Sequence, residues 1–91
     1  MMQIISIEFE YRQATYYALV RVKEKNDNTE YHVTIMNGRL EQRLYGNHVF
    51  IEEDGQIHFD PVPENEKGLL RVAVGMALCR HYNKPYNVHV I

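Results

Sequence analysis

Apolar and polar residues alternate over most of the first sixty positions, which is the period-two signature of strands with one buried face. Ile5, Ile7 and Phe9 alternate with Ser6, Glu8 and Glu10, and Ala18, Val20 and Val22 alternate with Leu19, Arg21 and Lys23. Turn-forming clusters punctuate the pattern, and the spacing predicts strands over 2–11, 16–25, 30–36, 39–45, 48–53 and 56–60.

Turn chemistry and face parity set the expected registers. Asn37-Gly38 favours a two-residue type I′ hairpin, because both central residues of that turn need positive φ. It pairs Ile35 with Leu40, Val33 with Gln42 and Tyr31 with Leu44. A two-residue turn at Asp27-Asn28 pairs Val22 with Val33 and Val20 with Ile35. A one-residue slip would turn Arg21 and Lys23 inward. The first hairpin has no glycine, so a four-residue loop over Arg12-Gln13-Ala14-Thr15 is expected, with Phe9 opposite Ala18 and Ile7 opposite Val20. Gly46-Asn47 makes the next turn and sets Leu44 against Val49. Glu53-Asp54-Gly55 reads as a three-residue loop with a G1 bulge, which keeps Ile51, Ile57 and Phe59 on the face shared with Val49.

After Asp60-Pro61-Val62-Pro63 the period changes. Proline ends a ladder and suits a helix's first turn, so a helix is predicted over 63–82, with Arg80 and His81 near its negative end and Pro85 beyond it. Leu69, Val72, Ala73 and Met76 form one stripe, and Leu70, Val74, Ala77 and Leu78 widen it almost around the cylinder. Gly68 and Gly75 are read as allowing close helix–sheet approach. The tail 83–91 alternates weakly over Tyr86-Asn87-Val88-His89-Val90-Ile91, enough for a short seventh strand that covers its own sheet's edge or reaches a neighbouring chain. The expected architecture is one α+β domain over 1–91. It is a six-stranded antiparallel β-meander, open or curled, with one C-terminal helix packed on its apolar face.

Composition changes this picture little. The chain has 91 residues, 45% of them apolar and 24% charged, which suits a single packed domain. Ten basic and twelve acidic side chains give a net charge of −2, which argues against phosphate backbones and anionic membranes as main partners. Cys79 is the only cysteine, so no internal disulfide forms. The start Met1-Met2-Gln3-Ile4-Ile5-Ser6 lacks a signal peptide's basic region and long apolar run, and a cytoplasmic location is the expectation.

Catalytic signatures are absent, and no cofactor or metal is expected. His32, His48, His58, His81 and His89 lack tight ligand spacing, although His58-Phe59-Asp60 would put two ligands on one strand face. Cys79 adjoins Arg80 and His81, but neighbours in a helix do not face each other, and a helix C-terminus raises a thiol's pKa. Glu52 and Glu53 point to opposite faces of a strand and read as solvated charges beside a turn rather than an acid–base pair.

Two surface features stand out. Tyr17, Leu19 and Met36 form an apolar cluster on the outer face, with Leu19 opposite Met36. Seven tyrosines without a tryptophan add to an interface-like character, since tyrosine buries its ring while its hydroxyl stays wet. The registers also lay out a row of Ile4, Lys23, His32, Arg43, Phe50 and His58, which mixes basic and aromatic groups as single-stranded nucleic-acid binders do. Glu8, Glu10, Glu41 and Glu52 lie close enough to screen it.

The first functional reading is therefore a non-enzymatic protein-interaction or oligomerisation module, partnered by itself as a homodimer or by another protein. The second is small-ligand binding between sheet and helix, with Tyr16 or Tyr31 as polar handles. The third is weak single-stranded nucleic-acid binding on the basic row.

Overall fold

The structure, a computed structural model, describes residues 2–44, 48–58, 66–84 and 86–87. It is α+β. Five antiparallel strands, β1 (Met2–Tyr11), β2 (Ala14–Glu24), β3 (Thr29–Ile35), β4 (Val49–Glu53) and β5 (Gln56–His58), follow one another in spatial order. A short helix α1 (Gly38–Arg43) joins β3 to β4, and the long helix α2 (Glu66–Tyr82) covers one face of the sheet. A two-residue segment, β6 (Tyr86–Asn87), lies parallel to β5. The sheet is curled, and among the described residues β1 lies at one end of the strand order.

Strand parity in β1–β3 follows the alternation. Ile7, Phe9, Tyr11, Ala18, Val20, Val22, Tyr31, Val33 and Ile35 all point into the core. The registers differ from expectation by two residues. Phe9 faces Tyr16 and Ile7 faces Ala18, across a two-residue turn at Arg12 and Gln13 whose φ values are 51° and 64°. Two non-glycine residues in the left-handed region cost on the order of 1–2 kcal/mol each, and the ten-pair ladder of β1 and β2 is long enough to impose them. Arg12 also lays its guanidinium over the Tyr11 ring, 5.5 Å from the centroid. The next loop lengthens in compensation. Val22 pairs with Tyr31 and Val20 with Val33, and Lys25 to Asn28 close through a 2.8 Å backbone bond.

The larger correction begins at Asn37. The segment expected as a fourth strand, 39–45, is α1 over its described part, so Leu40 and Leu44 reach the core from a helix. Asn37 is extended (φ −149°) and caps it, accepting the Leu40 amide at 3.2 Å through its side chain. Glu41 reaches back to accept the Ile35 amide at 2.8 Å. The helical solution buries Leu40 and Leu44, four residues apart, and leaves Gln42 exposed, whereas the strand would have turned Gln42 inward. The Gly46-Asn47 turn lies outside the described residues.

Removing that strand inverts parity downstream. β4 pairs directly with β3, Tyr31 opposite Phe50, so Phe50 and Glu52 face inward while Val49 and Ile51 face outward. Asp54 and Gly55, at φ 54° and 79°, then make a two-residue hairpin turn in place of the expected bulge, and Ile57 enters the core opposite Glu52. Phe59 and Asp60, the predicted end of that strand, lie outside the described residues, as does the predicted helix start at 63–65.

On α2 the buried residues are Leu70, Arg71, Val74, Ala77, Leu78 and Cys79, while Leu69 is exposed and Val72, Ala73 and Met76 are half-buried. Gly68 and Gly75 are both buried. Arg71 is accommodated by the Val49 carbonyl, 3.1 Å away, and by the Phe50 ring, 4.1 Å from its guanidinium carbon. Asn83, at φ 53°, ends the helix in a Schellman arrangement. Its amide bonds the Arg80 carbonyl at 3.2 Å, and the Lys84 amide bonds the Cys79 carbonyl at 2.9 Å.

Candidate functional site

Three places on the molecule have the makings of a site: the outer sheet face, the inward carboxylate Glu52, and the groove where α2 lies along β1. The outer face carries the even positions of β1 and β3 and the odd positions of β2 and β4. Tyr17, Leu19 and Met36 are on it and are 56%, 41% and 61% exposed, joined by Ile4 at 63%. The cross-strand partner of Leu19 is Thr34 rather than Met36, whose amide bonds the Tyr17 carbonyl at 2.9 Å.

The basic–aromatic row does not assemble. Lys23 lies opposite Glu30, His32 opposite Arg21 and Val49, and His58 opposite Ile51. Arg43 sits in the last turn of α1, and Phe50 is wholly buried beneath Arg71. Among the remaining cations, Lys25 pairs with Glu30 at 2.7 Å, and His32 meets the same carboxylate at 3.0 Å. These contacts hold the Glu30 carboxyl below the usual carboxylate range, the Lys25 hydrogen bond first among them.

The other histidines scatter. His48 contacts Glu41 at 2.6 Å, His58 is exposed on β5, and His81 stands edge-on to Tyr82 with ring centroids 4.9 Å apart. His89 lies outside the described residues. Among the described residues, no three metal-ligating side chains come together.

Glu52 was expected as a solvated charge and is the one carboxylate on the core side of β4. Tyr31 donates its hydroxyl to Oε1 at 2.5 Å, and the Lys84 ammonium binds Oε2. Burial by itself would raise the Glu52 pKa, but the hydrogen bonds from Lys84 and Tyr31 and the Lys84 charge prevail and hold it below the ordinary value. Tyr31 is pushed above the ordinary phenol range by burial first and then by the carboxylate it serves. Its ring packs on Tyr82 at 5.4 Å, and the buried Tyr82 hydroxyl has no hydrogen-bond partner among the described residues. Burial also pushes the neighbouring Cys79 thiol up to about 11, the opposite of what a nucleophile needs. The cluster ties the end of α2 to the sheet. No sequence signal marked it, because Glu52 faces inward only when the fourth strand is missing.

The groove is formed by Phe9 and the exposed Glu8 and Glu10 of β1 on one side, and by Leu69, Val72, Ala73 and Met76 of α2 on the other. It opens to about 640 Å³ and continues, past Glu8 and Arg80, into a second hollow of about 380 Å³ beside Ser6, Ile7 and Ala77. Tyr31, expected to line a ligand pocket between sheet and helix, is instead committed to Glu52, and Tyr16 rests on Phe9 with centroids 5.8 Å apart. Among the described residues, no helix is long and apolar enough to cross a membrane. Compared with protein-family models, with curated proteins and with solved structures, the chain matches none.

Proposed function

We propose that this chain is a non-enzymatic protein-interaction module that self-associates through the outer face of its sheet. The supporting observation is the asymmetry between the two faces. One is covered by α2, while the other exposes Ile4, Tyr17, Leu19 and Met36 by 41% to 63%. Single exposed apolar side chains are ordinary, but four on one sheet face are the composition of an interface core.

A second copy is the partner that the charges favour. Glu8 and Glu10 lie towards one end of the β1–β2 pair, and Arg21 and Lys23 towards the other, with Leu19 between them. A two-fold axis near Leu19 sets the acidic end of one copy over the basic end of its mate, with the apolar residues in contact. The homodimeric state, the single-domain boundaries and a cytoplasmic setting all belong to this proposal.

Native mass spectrometry and sedimentation test it. The wild-type protein is expected to dimerise at micromolar concentration. Leu19→Glu should weaken the dimer about thirtyfold, as for a central interface residue costing about 2 kcal/mol, with an unchanged circular dichroism spectrum. A wild-type monomer across the micromolar range defeats the proposal. A small-ligand reading has the 640 Å³ groove in its favour, a size typical of ligand sites, but that groove runs along a strand edge that has no partner among the described residues and suits an extended chain better.

A further inference from the structure

The phase of the backbone hydrogen bonds determines which way the peptide groups of β1 point. The Met36 amide bonds the Tyr17 carbonyl, so odd positions of β2 turn their polar groups to β3, and even positions turn theirs to β1. Their partners Ile5, Ile7 and Phe9 therefore face β2, and the N–H and C=O groups of Ile4, Ser6, Glu8 and Glu10 face away from it. No described residue pairs with that edge. Long open edges are usually blunted or covered, and this strand is ten residues long and lies beside a helix face of Leu69, Val72, Ala73, Met76 and Arg80.

We infer that the β1 edge and the adjoining α2 groove bind an extended segment of another protein, in which apolar and basic residues alternate, by adding it as a further strand. The inference goes beyond the self-association reading, since it uses the edge of β1 and its α2 side. A strand paired with β1 turns alternate side chains towards Leu69, Val72, Ala73 and Met76, which calls for apolar residues there. Its other side chains lie beside those of Ser6, Glu8 and Glu10 on the outer face. Across β2, Glu8 meets Tyr17 and Glu10 meets Thr15, so neither carboxylate faces a cation across the ladder, although Arg80 lines the groove beside Glu8. A basic residue on the incoming strand supplies that cation. β2 already offers β1 such a segment on the opposite side, Val20-Arg21-Val22-Lys23. A second copy's β1 fits less well, because it brings its own Glu8 and Glu10 to an edge that already carries both.

The probe is an end-blocked octapeptide alternating valine and lysine, titrated by fluorescence anisotropy into the full chain. The same composition in block order and an alternating valine–glutamate peptide serve as controls. Saturable binding of the alternating basic peptide is expected, with both controls weaker by about tenfold or more. Ser6→Pro removes an outward amide without touching the β1–β2 ladder and should abolish binding while the circular dichroism spectrum holds. Leu69→Gln, at a residue 57% exposed, should weaken binding severalfold without affecting folding. Leu19→Glu, which frees Glu8 and Glu10 from the dimer contact, should leave peptide affinity unchanged or raise it, so this inference and the dimer proposal fail separately. Absence of saturable binding overturns the inference. So do equal affinity for the block-order or acidic peptide, indifference to Ser6→Pro or Leu69→Gln, and a dimer that Ser6→Pro dissociates and Leu19→Glu does not.

Discussion

Asn37-Gly38 and Asp54-Gly55 are the same kind of dipeptide with opposite outcomes. At Asp54-Gly55 both residues take positive φ and the chain reverses between two paired strands. At Asn37-Gly38 the asparagine stays extended, caps a helix, and the chain does not reverse into a strand at all. The surroundings decide. Asp54-Gly55 sits between β4 and β5, whose inward residues Phe50 and Ile57 the reversal brings to one face. Asn37 is followed by Leu40, Glu41 and Leu44, which together provide a buried pair at helical spacing and an acceptor for the Ile35 amide. A turn-forming dipeptide proposes a reversal, and the next one or two turns' worth of residues choose the kind.

The strongest way to break this comparison is at the two positions whose faces it inverted. Phe50→Ala should destabilise by about 3–5 kcal/mol, a full aromatic cavity, and Val49→Ala by about 1 kcal/mol, with denaturant midpoints as the readout. The strand register expected from the sequence demands the reverse order. The glycines sharpen the comparison further. Gly55→Ala should cost on the order of 1–2 kcal/mol because its φ of +79° is strained for any side chain. Gly38→Ala meets nothing within 4 Å and has no positive φ, so it should be neutral or stabilise by up to about 1 kcal/mol. If both cost the same, α1 is not a helix.

The smallest expected effect concerns Glu52, whose inward placement is a by-product of the missing strand. Its pKa is lowered in the folded protein, so its contribution is complete above the ordinary carboxylate range and fades as pH falls through the lowered value. Glu52→Gln should therefore lose stability near neutral pH and show a shallower decline on acidification than wild type, measured by thermal unfolding between pH 3 and 7. Parallel curves would mean that Lys84 and Tyr31 do not stabilise the charged form.

Much of the β1–β3 meander was legible. Strand parity survived there even though both hairpin loops were misjudged, the first two residues too long and the second two too short. A slide of two residues leaves every side chain on its face, so alternation determines parity without determining pairing. The outward placement of Tyr17, Leu19 and Met36 was legible for the same reason, although Leu19 faces Thr34 rather than Met36. The row through Phe50 was not, because it was counted across five pairings: two-residue slips put Ile4 opposite Arg21 and Lys23 opposite Glu30, and the helix at Arg43 broke it again. The groove went unread because both stripes of α2 were expected to be buried, when Leu70, Val74, Ala77 and Leu78 occupy the core and Leu69, Val72, Ala73 and Met76 are exposed or half-buried.

Local chemistry by itself determined the class of the fold, the faces of the first three strands, and a long C-terminal helix, because period two, period 3.6 and the prolines are properties of adjacent residues. Tertiary structure alone decided that residues 38–43 coil, that Phe50 and Glu52 turn inward, and that a strand edge with no partner among the described residues lies beside a half-apolar helix. Each of those depends on which distant surface a segment must cover, and burial against a partner hundreds of atoms away outweighs propensities worth a few tenths of a kcal/mol per residue.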